Sequence, residues 1–121
     1  MIDVRRWDIW WLDQPNARKD SFPPQPGDPS AKNRLMAVVC RDTYLAAGGR
    51  PVCVPIGSVQ ADPLIHIPLN AKESGVLKDC YLWCNEIYTI DRRFFVKKIG
   101  RLTEPRSVAI QGALRSFLDL G

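Results

Sequence analysis

The sequence predicts a mainly β domain, in which five or six short strands form a small antiparallel barrel or curled sheet and one helix follows at the C-terminal end. Short apolar runs separated by turn residues fill most of the chain. Helical periodicity is clear only near the end. Strands that precede a helix, rather than alternate with it, are typical of an antiparallel sheet with a helix packed on it. The 121 residues are expected to form a single domain, 1–121.

Three strands are predicted in the first half of the chain. Arg5–Leu12 holds three of the four tryptophans, which favour a pleated and partly buried surface. Leu35–Cys40 is a short apolar run bounded by charged residues, and Pro51–Ile56 is a second such run. Both have the length and composition of buried strands.

Two helical segments are predicted. Asp42–Ala47 can form one turn, with Asp42 as its cap and Gly48 at its end. Near the C-terminus, Thr103 is a suitable cap and Pro105 is tolerated in the first turn. The following apolar residues recur at helical spacing and give one apolar stripe: Ile110, Ala113, Leu114, Phe117 and Leu118.

The elements between these helices are less regular. Leu64–Leu69 is predicted to be an edge strand because it carries prolines near its ends. Cys80–Ile87 is predicted to be a strand, with a loop at Asn70–Lys78 before it and a turn at Tyr88–Asp91 after it. Phe94–Ile99 is compatible with either a strand or a helix.

The segment Pro15–Arg34 is predicted to be a long loop. It contains five of the ten prolines, which exclude a helix or an inner strand. A loop of this length inside a compact domain is uncommon and is often functional. It also carries four basic residues: Arg18, Lys19, Lys32 and Arg34.

The composition indicates a cytoplasmic protein without a membrane span. Hydrophobic residues make up 45% and charged residues 25%, and the longest apolar run is far shorter than a membrane helix. No secretory signal opens the sequence. The net charge of +4 and the pI near 9.0 permit a nucleic acid or an acidic protein as partner.

The cysteines and the single histidine do not indicate a metal site or a cofactor. None of the four cysteines forms a C-x-x-C pair. They are expected to be reduced thiols that pack as small hydrophobic residues. His66 is expected to be a surface or edge-strand residue rather than a general base.

Basic and aromatic residues lie together in Thr89–Glu104, which has five Lys or Arg residues from Arg92 to Arg101 beside Phe94 and Phe95. This combination suits a polyanion with bases that can stack. The basic run is equally compatible with a phosphate track and with a solvated face. The tryptophans can stack bases, but in a small barrel they are expected mainly in the core or at a dimer interface.

Three segments, in order, resemble the MazF/PemK toxin family. Arg6–Trp11 resembles the family's opening motif, and Val54–Gln60 resembles the strand that ends in its Thr-Ser/Ala-Gln element. The closing block is the most specific: Gly75–Cys80, Asn85–Arg93 and Lys98–Leu102. Four features depart from the pattern. Trp7 replaces a glycine, and the loop Gly27–Arg34 lacks the family's Gly-Ser-Glu-Gln signature. Leu35 replaces the proline after the arginine, and Tyr88 stands where the family usually has an arginine.

The resemblance implies a fold, an activity and partners. The fold is the SH3-like barrel of the CcdB/PemK type, in a homodimer. The activity is metal-independent, sequence-selective cleavage of single-stranded RNA to 2′,3′-cyclic phosphate and 5′-hydroxyl ends, as the toxin of a type II toxin–antitoxin system. The partner is an antitoxin with an acidic, flexible segment. Two alternatives are a CcdB-like inhibitor that binds gyrase through the C-terminal helix, and a catalytically impaired relative that binds only RNA or antitoxin.

The resemblance also implies the functional residues. Arg34 matches the arginine that closes the first long loop, and its planar guanidinium suits a clamp on phosphate. Ser58 matches the hydroxyl at the end of the next strand and is expected to donate a hydrogen bond to the phosphate. Arg34 and Ser58 are therefore the predicted catalytic residues. The predicted RNA-binding residues are Lys32, Gln60 and Arg18.

Overall fold

A computed structural model describes residues 3–13, 33–76 and 78–121. In these ranges the strands are β1 Asp8–Asp13, β2 Asn33–Val38, β3 Val52–Gly57, β4 His66–Leu69, β5 Cys80–Trp83, β6 Tyr88–Thr89 and β7 Phe95–Arg101. The α-helices are α1 Asp42–Ala46, α2 Ala71–Ser74 and α3 Glu104–Leu118, and a 3-10 turn spans Arg92–Phe94.

The strands form one antiparallel sheet in the order β4-β5-β3-β2-β1-β7, with β6 paired to β3 off this path. This confirms the predicted mainly β fold with a C-terminal helix. Within the described part of the chain no ladder joins β4 to β7, so the sheet is curled and barrel-like rather than closed. No helix there is long and apolar enough to cross a membrane.

The sheet buries both of its faces, which explains why its inner strands are apolar runs rather than alternating sequences. Ile9, Ala37 and Val54 belong to a first core, into which Ile110 and Ala113 of α3 pack. Their neighbours along the strands belong to a second core on the opposite side, because successive side chains alternate between faces. That core contains Trp10, Leu12, Met36, Val38, Cys53, Ile90 and Phe95.

The predicted C-terminal helix is confirmed, from its cap to Leu118. Thr103 occupies the cap position, and Pro105 lies in the first turn. Ile110 is fully buried, whereas Phe117 and Leu118 at the end of the predicted stripe are 46% and 47% exposed. The helix extends past the sheet that covers its first turns, so the last apolar residues lie on the surface of this chain.

The short elements required the largest corrections. Arg41, not Asp42, is the cap residue of α1, because the Asp42 carboxylate accepts the backbone N–H of Arg6 at 2.8 Å. The predicted loop after β4 contains α2, which begins where the Asn70 side chain accepts the N–H of Lys72. It ends at Gly75, whose φ of 79° is left-handed.

The region after β5 also differs from the prediction. The strand ends at Trp83 rather than continuing to Ile87, and a turn follows in which the N–H of Glu86 bonds to the Trp83 carbonyl. The predicted turn at Tyr88–Asp91 begins with β6, which pairs with the start of β3. The ambiguous segment 94–99 is resolved as part of strand β7 after a short 3-10 turn. The limits of β5 and β6 depend on β3, which pairs with both of them as well as with β2.

Candidate active site

The two predicted catalytic residues lie at the same end of two neighbouring strands. Arg34 is near the start of β2, where its backbone pairs with Leu12 of β1. The β2–β3 ladder runs from Val38 opposite Cys53 to Met36 opposite Pro55, so the start of β2 and the end of β3 lie at the same end of this ladder. Ser58 follows Gly57 directly and is exposed. Antiparallel pairing therefore puts the two backbone positions at the same end of neighbouring strands, although they are far apart in sequence.

Of the three predicted RNA-binding residues, only Gln60 lies within the described part of the chain. Lys32 and Arg18 belong to the segment 14–32, which lies outside the described residues. Gln60 is exposed, and its side-chain amide donates a hydrogen bond of 3.0 Å to the His66 carbonyl oxygen. The proposed roles of these three residues, and of Arg34 and Ser58, remain predictions.

His66 lies beside this site and is buried, with 3% of its surface exposed. The sequence predicted either a surface position or an edge strand for His66. The residue lies on edge strand β4 and is not at the surface. Nδ1 accepts the backbone N–H groups of Ala61 and Asp62 at 2.9 and 3.0 Å. Nε2 lies 3.1 Å from Oδ1 of Asn85. Both ring nitrogens thus have hydrogen-bond partners within the fold, and the expectation that His66 is not a general base stays a prediction.

Trp83 completes this arrangement from the neighbouring strand. Its ring stacks on His66 with centroids 4.2 Å apart and an interplanar angle of 23°. Its indole N–H donates to the carbonyl oxygen of Val59 at 3.0 Å. Sequence reasoning did not identify the His66–Trp83 pair, because the pairing of β4 with β5 brings the two residues together.

The basic run 92–101 divides into residues with different roles. Arg92 donates to the carbonyl oxygens of Leu45 and Gly49 at 2.8 and 3.1 Å and so holds the end of α1. Lys98 and Arg101 both contact the buried carboxylate of Asp8. Arg93 lies over the Phe94 ring, 4.8 Å from its centroid. Four of the five cations therefore have partners within the fold.

The aromatic residues are mainly structural, as expected. Trp10 lies in the second core and makes an edge contact with Phe95, with centroids 5.6 Å apart. Trp7 packs against the first core. Trp11 is half-buried and borders a groove of about 420 Å³ with Lys97 and other residues at the β7 edge.

Tyr88, which replaces the usual arginine, is half-buried against the second core. Its hydroxyl donates to the Glu86 carboxylate at 2.8 Å. Burial, followed by this hydrogen bond and the nearby negative charge, raises the pKa of Tyr88 to about 12. The residue is therefore neutral near pH 7 and cannot supply the positive charge of an arginine.

The cysteines are free thiols. Cys53, Cys80 and Cys84 are buried and Cys40 is half-buried, in agreement with their predicted packing role. Burial raises the pKa of Cys80 to about 11 and that of Cys84 to about 12. Among the described residues, no group of three or more His, Cys, Asp or Glu side chains is arranged to hold a metal ion.

Comparison with solved structures identifies the fold as that of MazF toxins. An endoribonuclease in complex with its cognate antitoxin from a mycobacterial species matches with a TM-score of 0.76 and 13% identity, over 98% of both chains. The Mycobacterium tuberculosis toxin MazF-mt6 matches with a TM-score of 0.72 and 18% identity, over 94% of this chain and 98% of that one. MazF from Deinococcus radiodurans gives a TM-score of 0.73 and 18% identity, over 98% and 99%.

The family assignment comes from the sequence itself. The family of PemK-like, MazF-like toxins of type II toxin–antitoxin systems matches residues 5–118. A search of curated proteins gives no match. The chain belongs to the PemK-like, MazF-like toxin family, which confirms the resemblance in its sequence.

Proposed function

We propose that this chain is the toxin of a type II toxin–antitoxin system and acts as a metal-independent endoribonuclease on single-stranded RNA. The observation that supports the proposal is that β2 and β3 are neighbouring antiparallel strands, with Arg34 near the start of β2 and the exposed Ser58 directly after β3. Family membership supports the same conclusion. One of the similar solved structures is an endoribonuclease bound to its antitoxin.

The proposed reaction uses the 2′-hydroxyl of the RNA as the nucleophile. This oxygen attacks the adjacent phosphorus, its proton passes to solvent water, and the bond from phosphorus to the 5′-oxygen breaks. The 5′-oxygen takes up a proton, so the products carry a 2′,3′-cyclic phosphate and a 5′-hydroxyl. Arg34 stabilises the negative charge of the phosphorane, for which a planar guanidinium is well suited. Ser58 donates a second hydrogen bond to a phosphate oxygen.

The other proposed roles concern binding. Lys32 and Arg18 on the long loop would contact the RNA backbone, and Gln60 would contact a base or phosphate beside Ser58. The protein would act as a homodimer, and an acidic antitoxin segment would compete with RNA for the same basic surface. The net charge of +4 is compatible with both polyanionic partners.

Cleavage of a long single-stranded RNA in EDTA, with the product ends mapped, tests the activity. The wild-type protein should give discrete cuts with 5′-hydroxyl ends. Arg34→Ala and Ser58→Ala should each lower kcat by about 10²–10³-fold, the usual effect of removing one donor to a developing anion. Ser58→Thr keeps the hydroxyl and should retain most of the activity.

Arg50→Ala is the matched control, because Arg50 is exposed and precedes β3, whereas Ser58 follows the other end of that strand. It should cleave as the wild type does. Intact RNA across varied sequences would overturn the proposal, as would cleavage that depends on a divalent metal. Unchanged cleavage by Arg34→Ala would overturn the assigned role of that residue.

A further inference from the structure

The loop after Ser58 has little apolar burial to keep it in one conformation. Residues 58–64 are exposed, and they include Val59 and Leu64, which are 53% and 78% exposed. An exposed loop of this kind is ordered by hydrogen bonds if it is ordered at all. A catalytic hydroxyl at its start must nevertheless be held closely, since a displacement of about 1 Å can cost about 10²-fold in rate.

The His66 ring supplies the first of these hydrogen bonds. Two backbone N–H groups, from Ala61 and Asp62, point at Nδ1 from 2.9 and 3.0 Å. Nδ1 must therefore be the unprotonated nitrogen, because a protonated one would face two donors. Nε2 then carries the proton and donates to Oδ1 of Asn85 at 3.1 Å. The ring is fixed as one neutral tautomer between the loop and the turn after β5.

The main chain of His66 and its stacking partner bind the rest of the loop. The His66 carbonyl accepts from Gln60, and the His66 N–H donates to the Asp62 carbonyl at 2.8 Å. Trp83, stacked on the His66 ring, donates to the Val59 carbonyl at 3.0 Å. All four residues that follow Ser58 are thus bonded to His66 or to the tryptophan that packs on it.

We propose that His66 is a positioning residue for RNA cleavage: it holds the loop after β3 so that Ser58 and Gln60 face the start of β2, where Arg34 lies. Its Nδ1 atom accepts the backbone N–H groups of Ala61 and Asp62 and so holds the loop. The ring takes no part in proton transfer. This inference rests on the proposed endoribonuclease function, but its structural part, that His66 orders the loop, can be tested without it.

Two substitutions separate the two ring nitrogens. His66→Asn places an amide oxygen close to the position of Nδ1 and so keeps an acceptor for Ala61 and Asp62. His66→Gln places an amide nitrogen close to the position of Nε2 and so keeps the contact with Asn85 but leaves both loop amides without their acceptor. Both variants replace the imidazole ring with a primary amide. They differ in whether the contact with the loop amides or the contact with Asn85 survives.

The test combines RNA-cleavage kinetics with hydrogen exchange of the loop amides. His66→Asn should keep kcat within about tenfold of the wild type, and His66→Gln should lose about 10²-fold in kcat. KM should change less, because the residue positions the reacting groups and does not contact RNA. The amides of Ala61 and Asp62 should exchange faster in His66→Gln than in His66→Asn.

Equal losses of kcat in the two variants, or wild-type kcat in His66→Gln, would overturn the proposal. Unchanged exchange at Ala61 and Asp62 in His66→Gln would also overturn it. If the wild type does not cleave RNA, the proposed function fails, while the exchange measurement still decides whether His66 orders the loop. If neither His66 variant folds, Trp83→Phe keeps a stacked ring but removes the bond to Val59. It should then lower kcat, and an unchanged kcat would count against the proposal.

Discussion

The guanidinium of Arg101 donates a hydrogen bond of 3.1 Å to Oδ1 of Asp8, a carboxylate that is fully buried at the start of β1. Lys98 reaches the same oxygen at 3.1 Å. The other oxygen, Oδ2, accepts the backbone N–H of Arg5 at 2.9 Å. One buried charge therefore joins β1 to β7 and to the chain that enters β1, and two half-exposed cations balance it.

We expect either cation to balance the charge of Asp8 when the other is removed. Lys98→Ala or Arg101→Ala should each lower the free energy of unfolding by about 1 kcal/mol or less, because the other cation stays on Asp8. The double variant leaves the buried carboxylate without a cation and should cost about 3–5 kcal/mol. Urea denaturation of the four proteins measures this coupling. Lys97→Ala, at an exposed neighbouring position, is the control, and a double variant with merely additive losses would contradict the argument.

Trp7 has a left-handed backbone conformation, with φ at 73°. It is held there by two backbone hydrogen bonds, from its N–H to the Val38 carbonyl and from the Leu102 N–H to its own carbonyl. A side chain in this region costs about 1–2 kcal/mol that glycine avoids. The indole offsets part of this cost, because it packs on the first core and lies under the Arg6 guanidinium at 4.3 Å.

Comparison of Trp7→Gly with Trp7→Ala isolates the backbone contribution. Both variants lose the indole and should be less stable than the wild type. The glycine variant should nevertheless be more stable than the alanine variant by about 1 kcal/mol, the reverse of the usual order of these residues. Thermal and urea denaturation provide the measurement. An alanine variant as stable as the glycine variant would show that the chain relaxes to a right-handed conformation at this position.

The elements that were predicted correctly are those with their own local signals. β2 and β3 are apolar runs long enough to identify, and α3 has a cap, an early proline and a helical period. By contrast, β6 has two residues, and it is a strand only because it pairs with Val52 and Cys53, far away in the sequence. Such pairing is a property of the whole sheet, so no local pattern predicts it.

In the candidate site, too, some features could be predicted from the sequence and others depend on strand pairing. Arg34 and Ser58 are predicted from a family pattern, and the antiparallel pairing of β2 with β3 puts their backbone positions at the same end of the two strands. The His66–Trp83 pair was missed because its residues lie 17 positions apart in sequence and meet only when β4 pairs with β5. The replacement of a glycine by Trp7 was visible in the sequence, but the left-handed φ that gives it physical meaning was not.

Gly100 in β7 lies where any larger residue would collide with the end of α2. A Cβ at this position would overlap the carbonyl oxygen of Ser74, which is backbone and cannot rotate away. Gly100→Ala should therefore push α2 from β7 and lower the free energy of unfolding by about 1–3 kcal/mol. Gly112 is the matched control, because a Cβ there meets nothing within 4 Å in the middle of α3.

Gly112→Ala should stabilise the protein by about 1 kcal/mol, since glycine is the poorer helix former. Opposite signs for the two glycine-to-alanine changes, measured by urea denaturation, would support this account. A neutral effect of Gly100→Ala would mean that α2 moves without cost, and it would contradict the close contact.

The cysteines are expected to react unequally in the native protein, because only the thiolate form attacks an alkylating reagent. Burial raises the pKa of Cys84 to about 12, and burial together with the Asp79 charge raises that of Cys80 to about 11. Burial also raises the pKa of the Cys53 thiol strongly. Cys40 is the half-buried member of the set. At pH 8, iodoacetamide should therefore label Cys40 first.

Mass spectrometry of the intact protein should show one rapid addition under native conditions and four after denaturation. At pH 8 the thiolate fraction of Cys80 is about a hundredfold below that of an unperturbed thiol, so its labelling should be slower by a similar factor. Cys40→Ser should remove the rapid addition and leave the slow ones. Rapid native labelling of Cys53 or Cys84 would show that the cores open on the timescale of the reaction, which the close packing of both cores argues against.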